Sequence, residues 1–324
     1  MDETLKRVYA NRRARLAKQL GEGEVLVIPT APNRPRNRDS EFPYRHDSYF
    51  YYLTGFTEPH AWLILSADGR STLFCQPKDL EREIWDGYRL GPEATPEVLG
   101  VDEAFSVGEL DAKLPSYLEN RSGVWYPFAT HEGLATQVEG WLGQVRARVR
   151  FGVLCPTRQM DACALLDEMR LFKDGHELDT MRKAAQISAA AHMRAMQTSA
   201  RMLRAGLPVH EYHLEAELLH EFRRHGSQFP AYTSIVAAGA NACVLHYRAD
   251  NALLRAGELV LIDAGCELDG YASDITRTFP ADGRFGSAQK ALYEIVLAAQ
   301  DAAAQATRPG ASFQDPHLAA IKVL

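Results

Sequence analysis

Asp263 and Asp274 stand in the stretch of this chain whose letters come nearest to chemistry. Asp263 ends the apolar run Leu259-Val260-Leu261-Ile262, Asp274 follows Tyr271-Ala272-Ser273, and Asp269-Gly270 lies between the two runs. An Asp-Gly pair flanked by apolar runs is a strong signal for a two-residue hairpin loop. With that loop, Leu268 faces Tyr271, Asp263 falls opposite Thr276, and Asp274 falls opposite Gly265. Side chains alternate between faces along a strand, so the two aspartates are expected on one face. Diagonal neighbours there lie about 7–8 Å apart, a span across which two carboxylates can bridge a pair of ions held about 3.5–4 Å from one another. Oxygen donors favour hard ions such as Mn²⁺, Mg²⁺ or Ca²⁺, and imidazole would be needed to pull the site toward Zn²⁺, Co²⁺ or Ni²⁺. A carboxylate buried after Val-Leu-Ile needs a compensating cation, metal or arginine. A structural reading fits the same letters, with Asp263 capping amides at a strand end and Asp274 paired with Arg277 on an exposed edge. Spacing does not choose between them.

His246 lies just upstream in Asn241-Ala242-Cys243-Val244-Leu245-His246-Tyr247, which reads as a short strand. An imidazole there could touch a substrate carbonyl or move a proton, although most histidines in such places are structural. His210 and His213 are spaced i, i+3 and lack the H-E-x-x-H pattern of zinc proteases.

These groups must be positioned by a larger frame. The 324 residues exceed the size at which one core usually splits, and 46% hydrophobic with 24% charged residues is ordinary globular composition. A net charge of -6 argues against a nucleic-acid binder. Five cysteines without a C-x-x-C pair suggest neither a disulfide framework nor a zinc knuckle, and a reducing cytoplasm is expected. The first residues lack the apolar core of a secretory signal and no long apolar run occurs, so no membrane partner is expected.

The chain reads as two domains. Residues 5–20 form a basic helix, and Glu24–Thr30, Ala61–Ser66, Ser71–Cys75 and Val124–Tyr126 are short strands among helical patterns, giving an α/β domain over 1–168. The second domain, 169–324, opens with a long Ala-rich helix to about Arg204. A second helix follows over 211–225, with strands at Ser234–Ala238, Val244–Tyr247, Glu258–Ala264 and Tyr271–Phe279, an α+β pattern. The junctions Arg204–Glu211 and Arg308–Asp315 resemble each other as a weak repeat whose second copy is unfinished.

Six blocks resemble, in order, the Xaa-Pro aminopeptidases (aminopeptidase P): Asp47–Pro59 (DSYFYYLTGFTEP), Glu83–Gly91 (EIWDGYRLG), Met169–Lys173 (MRLFK), Ala231–Val236 (AYTSIV), the His246 segment, and Leu259–Pro280. The first two separate this resemblance from methionine aminopeptidases, which lack the extra N-terminal domain. The resemblance implies a pita-bread catalytic domain, incomplete here at its C-terminal end, behind an N-terminal α/β domain. It implies a metallo-aminopeptidase that releases the first residue from peptides with proline in second place, by a hydroxide bound between two divalent ions, usually manganese. By it, Asp263 would ligate one ion, Asp274 would bridge both, His246 would contact substrate and Tyr232 would support the metal site. Trp85 would reach into a neighbouring subunit's substrate cleft, which implies a homo-oligomer, dimer or tetramer. The family completes its site with a later histidine and two glutamates that residues 281–324 do not match, so weak or absent metal binding and little activity are expected of this chain alone. A prolidase acting on dipeptides, or a metal-free pita-bread module for peptide binding or assembly, are the alternatives.

Overall fold

The computed structural model describes residues 1–324, and the chain divides into two compact units, Met1–His176 and Glu177–Leu324. No helix is long and apolar enough to cross a membrane.

The first unit is built on a mixed six-stranded sheet ordered Glu103–Ser106, Ser71–Cys75, Trp62–Ser66, Glu24–Pro29, Gly123–Tyr126, Arg158–Asp161. Glu24–Pro29 is buried along its whole length, as expected of a central strand covered on both faces. Its alternating residues feed two cores. Leu26 and Ile28 pack with Leu16, Phe50, Leu53 and Leu166, whereas Val25 and Val27 pack with Leu114, Val138 and Trp141. Helices therefore lie on both sides of the sheet. The buried Arg13 ties helix ends together, donating to the carbonyls of Leu53 (2.9 Å) and Leu99 (3.2 Å) and to that of Gly100; burial lowers its pKa to about 10, so it stays cationic.

Asp47 caps the helix Ser48–Thr54, its Oδ1 accepting from the Phe50 amide at 2.8 Å, and His131 Nε2 stands 3.4 Å from its Oδ2. Burial pushes this carboxyl up, but His131 and the amides of Phe50 and Tyr49 together outweigh it and hold the pKa below the ordinary 3.8. A depressed carboxylate pKa contributes stability above the unfolded-state value, and that contribution is lost as pH falls through the folded-state value. Urea denaturation at stepped pH should therefore show stability falling below about pH 4. Asp47→Asn should flatten that fall, and an unchanged slope would remove Asp47 from the account.

The second unit packs two helices on a small antiparallel sheet. The helix Gly175–Arg204 presents Ala184, Ile187, Ala191 and Ala195, and the helix Glu211–Arg224 presents Leu214, Leu218 and Phe222, each a stripe at helical spacing. They cover the inner face of Ile235–Ala238, Leu259–Ala264 and Ile275–Pro280, which are ordered with Leu259–Ala264 in the centre. Along that central strand Val260, Ile262 and Ala264 are buried and Leu259, Leu261 and Asp263 are half-buried, so its two faces differ residue by residue. Cys266–Leu268 continues into a separate short ladder with Tyr271–Ala272 and Phe229–Pro230.

Two sequence readings need correction. Val244–Tyr247 is not a strand. Gly239, at φ 54°, turns the chain out of Ile235–Ala238 into a single 3₁₀ turn, Gly239–Cys243, and His246 follows in a turn. Val244 and Leu245 are exposed, the latter at 89%, so their apolar letters find no sheet neighbour. Nor is Tyr271–Phe279 continuous: pairing breaks at Ser273-Asp274, opposite Gly265, into Tyr271–Ala272 and Ile275–Pro280.

Candidate active site

The hairpin register survives that break. Leu268 pairs with Tyr271 and Asp263 with Thr276, and Asp269 and Gly270 both have positive φ, as a type I′ loop requires. Asp263 thus leaves the central strand on the face opposite Val260, Ile262 and Ala264, and Asp274 sits just before the strand Ile275–Pro280. Arg277 donates to the Thr276 carbonyl at 2.8 Å rather than to Asp274.

Tyr232 joins the two aspartates. Its hydroxyl lies 2.5 Å from Asp263 Oδ1 and 3.0 Å from Asp274 Oδ1. Burial, and then the hydrogen bonds to Asp263 and Asp274, raise the phenol pKa well above its ordinary range, so its proton stays in place. One hydroxyl has a single proton to give, yet two carboxyl groups face it.

The approach of these three residues depends on Gly265. A β-carbon on Gly265 would lie 1.7 Å from the Ser273 carbonyl oxygen and 3.0 Å from the Asp274 nitrogen. The Gly265 carbonyl accepts from Ala231 N–H at 2.8 Å, next to Tyr232. Around this crossing the Cys266 amide donates to Ser188 Oγ at 2.9 Å and Ser273 Oγ at 3.1 Å, and those two hydroxyls are 2.8 Å apart. The sequence reading missed Ser188 and Ser273. Ser273 adjoins Asp274 and could have been suspected, whereas nothing near Ser188 in sequence marks it.

His246 and Trp85 do not join this cluster. His246 is exposed in its turn, and no hydrogen bond links it to Asp263, Asp274 or Tyr232. Trp85 belongs to the first unit, on the helix Leu80–Asp86, and is 84% exposed beside exposed Leu80, Ile84 and Tyr88.

Two carboxylates crowded onto one hydroxyl are hard oxygen donors with lone pairs left over, which suits such a cation. No group of three or more His, Cys, Asp and Glu side chains that could hold a metal occurs. Asp263 and Asp274 therefore fit one edge of a metal site and do not complete its shell.

Residues 9–125 match the aminopeptidase P N-terminal domain, and residues 179–324 match metallopeptidase family M24. The Xaa-Pro aminopeptidase of Escherichia coli is 42% identical over 316 residues, which cover 96% of this chain and 70% of that protein. That of Haemophilus influenzae is 40% identical, covering 98% of this chain and 71% of that one. Among solved structures, aminopeptidase PepP of Pseudomonas aeruginosa aligns with a TM-score of 0.94 at 45% identity, and zinc-substituted aminopeptidase P of E. coli, in complex with product, with 0.93 at 40%. Both alignments cover 98% of this chain, and 71% and 72% of those chains. With an N-terminal α/β domain, an M24 domain of the pita-bread kind and this extent of identity, the chain belongs to the Xaa-Pro aminopeptidase family of metallopeptidases.

Proposed function

We propose that this protein releases the N-terminal residue from peptides with proline in second place, and that Asp263 and Asp274 supply one edge of a two-metal centre for that hydrolysis. The observation that carries the reading is the pair of carboxyl groups brought onto the single hydroxyl of Tyr232. When bound, two divalent ions, which we take to be Mn²⁺, would supply Lewis acidity and a nucleophile at neutral pH. Asp263 would hold one ion and Asp274 both. Tyr232 orients the two carboxylates, as outer hydrogen-bond partners do in metal sites. His246, on an exposed turn with its ring open to solvent, would donate to or accept from the peptide near the scissile bond. Trp85 would cover the substrate cleft of a second copy in a homo-oligomer, a role its near-complete exposure allows.

Two carboxylates are too few ligands to hold two such ions tightly, so further donors must join them before turnover is efficient. Mn²⁺ is paramagnetic, and weak binding still shows as local line broadening. Adding it to labelled protein should broaden the resonances of Tyr232, Asp263 and Asp274 before those elsewhere, and broadening that starts at another place would end this reading. Hydrolysis of Arg-Pro-Pro by this chain as fast as by the relatives would show that the remaining donors come from a second copy or from other residues of this chain. Activity confined to Xaa-Pro dipeptides would favour a prolidase.

Tyr232→Phe deletes only the shared hydroxyl. Mn²⁺ affinity should fall about tenfold, in the range typical of removing a ligand's hydrogen-bond partner. An unchanged titration would mean that the phenol does not orient the carboxylates.

A further inference from the structure

We propose that Glu211 is a positioning residue that holds both shoulders of the turn carrying His246; the proposal rests on the reading of His246 as a group that meets the peptide. Glu211 begins the helix Glu211–Arg224 and is 0% exposed. A carboxylate so placed is costly unless its lone pairs are filled, and no lysine, arginine or histidine forms an ion pair with it. Its lone pairs are filled by four donors instead. Oε1 accepts from the Ala238 amide at 2.8 Å and from Asn241 Nδ2 at 3.1 Å, and Oε2 accepts from the Tyr247 hydroxyl and the Ala252 amide, each at 2.9 Å.

All four donors come from residues 238–252, the segment that leaves the strand Ile235–Ala238 and contains His246. Nothing apolar can anchor its tip, because Val244 and Leu245 are exposed. Asn241 also donates to the Tyr247 hydroxyl at 2.9 Å, which closes a ring of hydrogen bonds across the base of the turn. Asn241 stands on one side of His246, and Tyr247 is its neighbour on the other. The backbone under the imidazole is thereby fixed while the ring stays free for a ligand. The segment lacks a core, and Glu211 stands in for one.

Glu211→Gln keeps the shape and gives up one acceptor oxygen, so an amide hydrogen of Ala238 or Ala252 must face an NH₂ group. Amide hydrogen exchange across 239–252 should rise about tenfold, the effect of losing a hydrogen bond of ordinary net strength, with Leu259–Ala264 and Ile275–Pro280 unchanged. Tyr247→Phe removes one of the four bonds and leaves the carboxylate buried as before. It is the second variant should Glu211→Gln not fold, and it should loosen 244–248 with Leu259–Ala264 and Ile275–Pro280 unchanged. Wild-type protection of the loop in these variants overturns the proposal.

The functional arm measures affinity for Arg-Pro-Pro and follows the His246 ring resonances as that peptide is added. Both variants should weaken the peptide toward the level of His246→Ala and average the ring shifts, effects that a merely structural role would not produce. A loosened loop with undiminished peptide affinity, where His246→Ala does lose affinity, overturns the positioning role. Should His246→Ala bind Arg-Pro-Pro like the wild type, the reading of His246 fails, and loop exchange in Glu211→Gln reports separately whether the clasp exists.

Discussion

Gly265→Ala should destabilise the second unit by about 3 kcal/mol and part the two aspartates, because the added methyl has nowhere to go. Its carbon would stand 1.7 Å from the Ser273 carbonyl oxygen and 2.4 Å from the carbon that bears it. Both are backbone atoms, so a side-chain rotation cannot relieve the collision. Gly265 is not among the glycines with positive φ, so space rather than conformation demands glycine here. An alanine would gain about 0.4–1 kcal/mol by restricting the unfolded chain, far less than the collision costs. Relief must come from moving Ser273 and Asp274 away from the central strand, or from moving Gly265 and with it the carbonyl that holds Ala231 beside Tyr232. Either movement opens the Asp263–Tyr232–Asp274 contact. Urea denaturation gives the stability and Mn²⁺-induced broadening gives the site; a variant with the wild-type midpoint would mean that Gly265 and Ser273 do not touch in solution.

Asp263→Asn should leave stability alone and weaken Mn²⁺ binding. Asparagine matches the aspartate in size, and Asp263 lies on the half-buried face, away from Val260, Ile262 and Ala264. The free energy of unfolding should change by no more than the ~0.5 kcal/mol common for substitutions outside the core. Tyr232 can still donate to the amide oxygen. What disappears is a charged oxygen donor, and Mn²⁺ affinity should fall by about 100-fold or more, at or beyond the upper end of what loss of an outer partner costs. Broadening at Tyr232 and Asp274 should then vanish at ion concentrations that produce it in the wild type. Equal broadening in the variant would show that the ion is held elsewhere.

The part of the site that the sequence made legible is the part decided by local rules. Asp269-Gly270 sets the loop, the loop sets the register, and alternation along Leu259–Ala264 then puts Asp263 and Asp274 on one face. The α/β character of the first unit was readable for the same reason, since Val25–Pro29 is apolar without interruption. Distance in sequence hid the rest. Ser188 meets Ser273 and Cys266 from a helix far upstream, and Glu211 holds Tyr247 from the start of another. Tyr232 could be connected to the aspartates only through the resemblance, because no periodic pattern links Ala231–Val236 to the hairpin. Val244-Leu245-His246-Tyr247 was misread because apolar letters imply burial only where a neighbour covers them, and here polar bonds at both ends hold the turn while its apolar tip faces solvent.

The two unlike sides of the central strand restrict how the gene can change in length. Inserting or deleting one codon between Glu258 and Asp263 would exchange the strand's sides, driving the aspartate among Leu214, Leu218 and Phe222 and turning Ile262 outward. Point substitutions on the outer side leave that parity intact. Drift in this stretch is thus open to changes of letter and closed to a change of a single place.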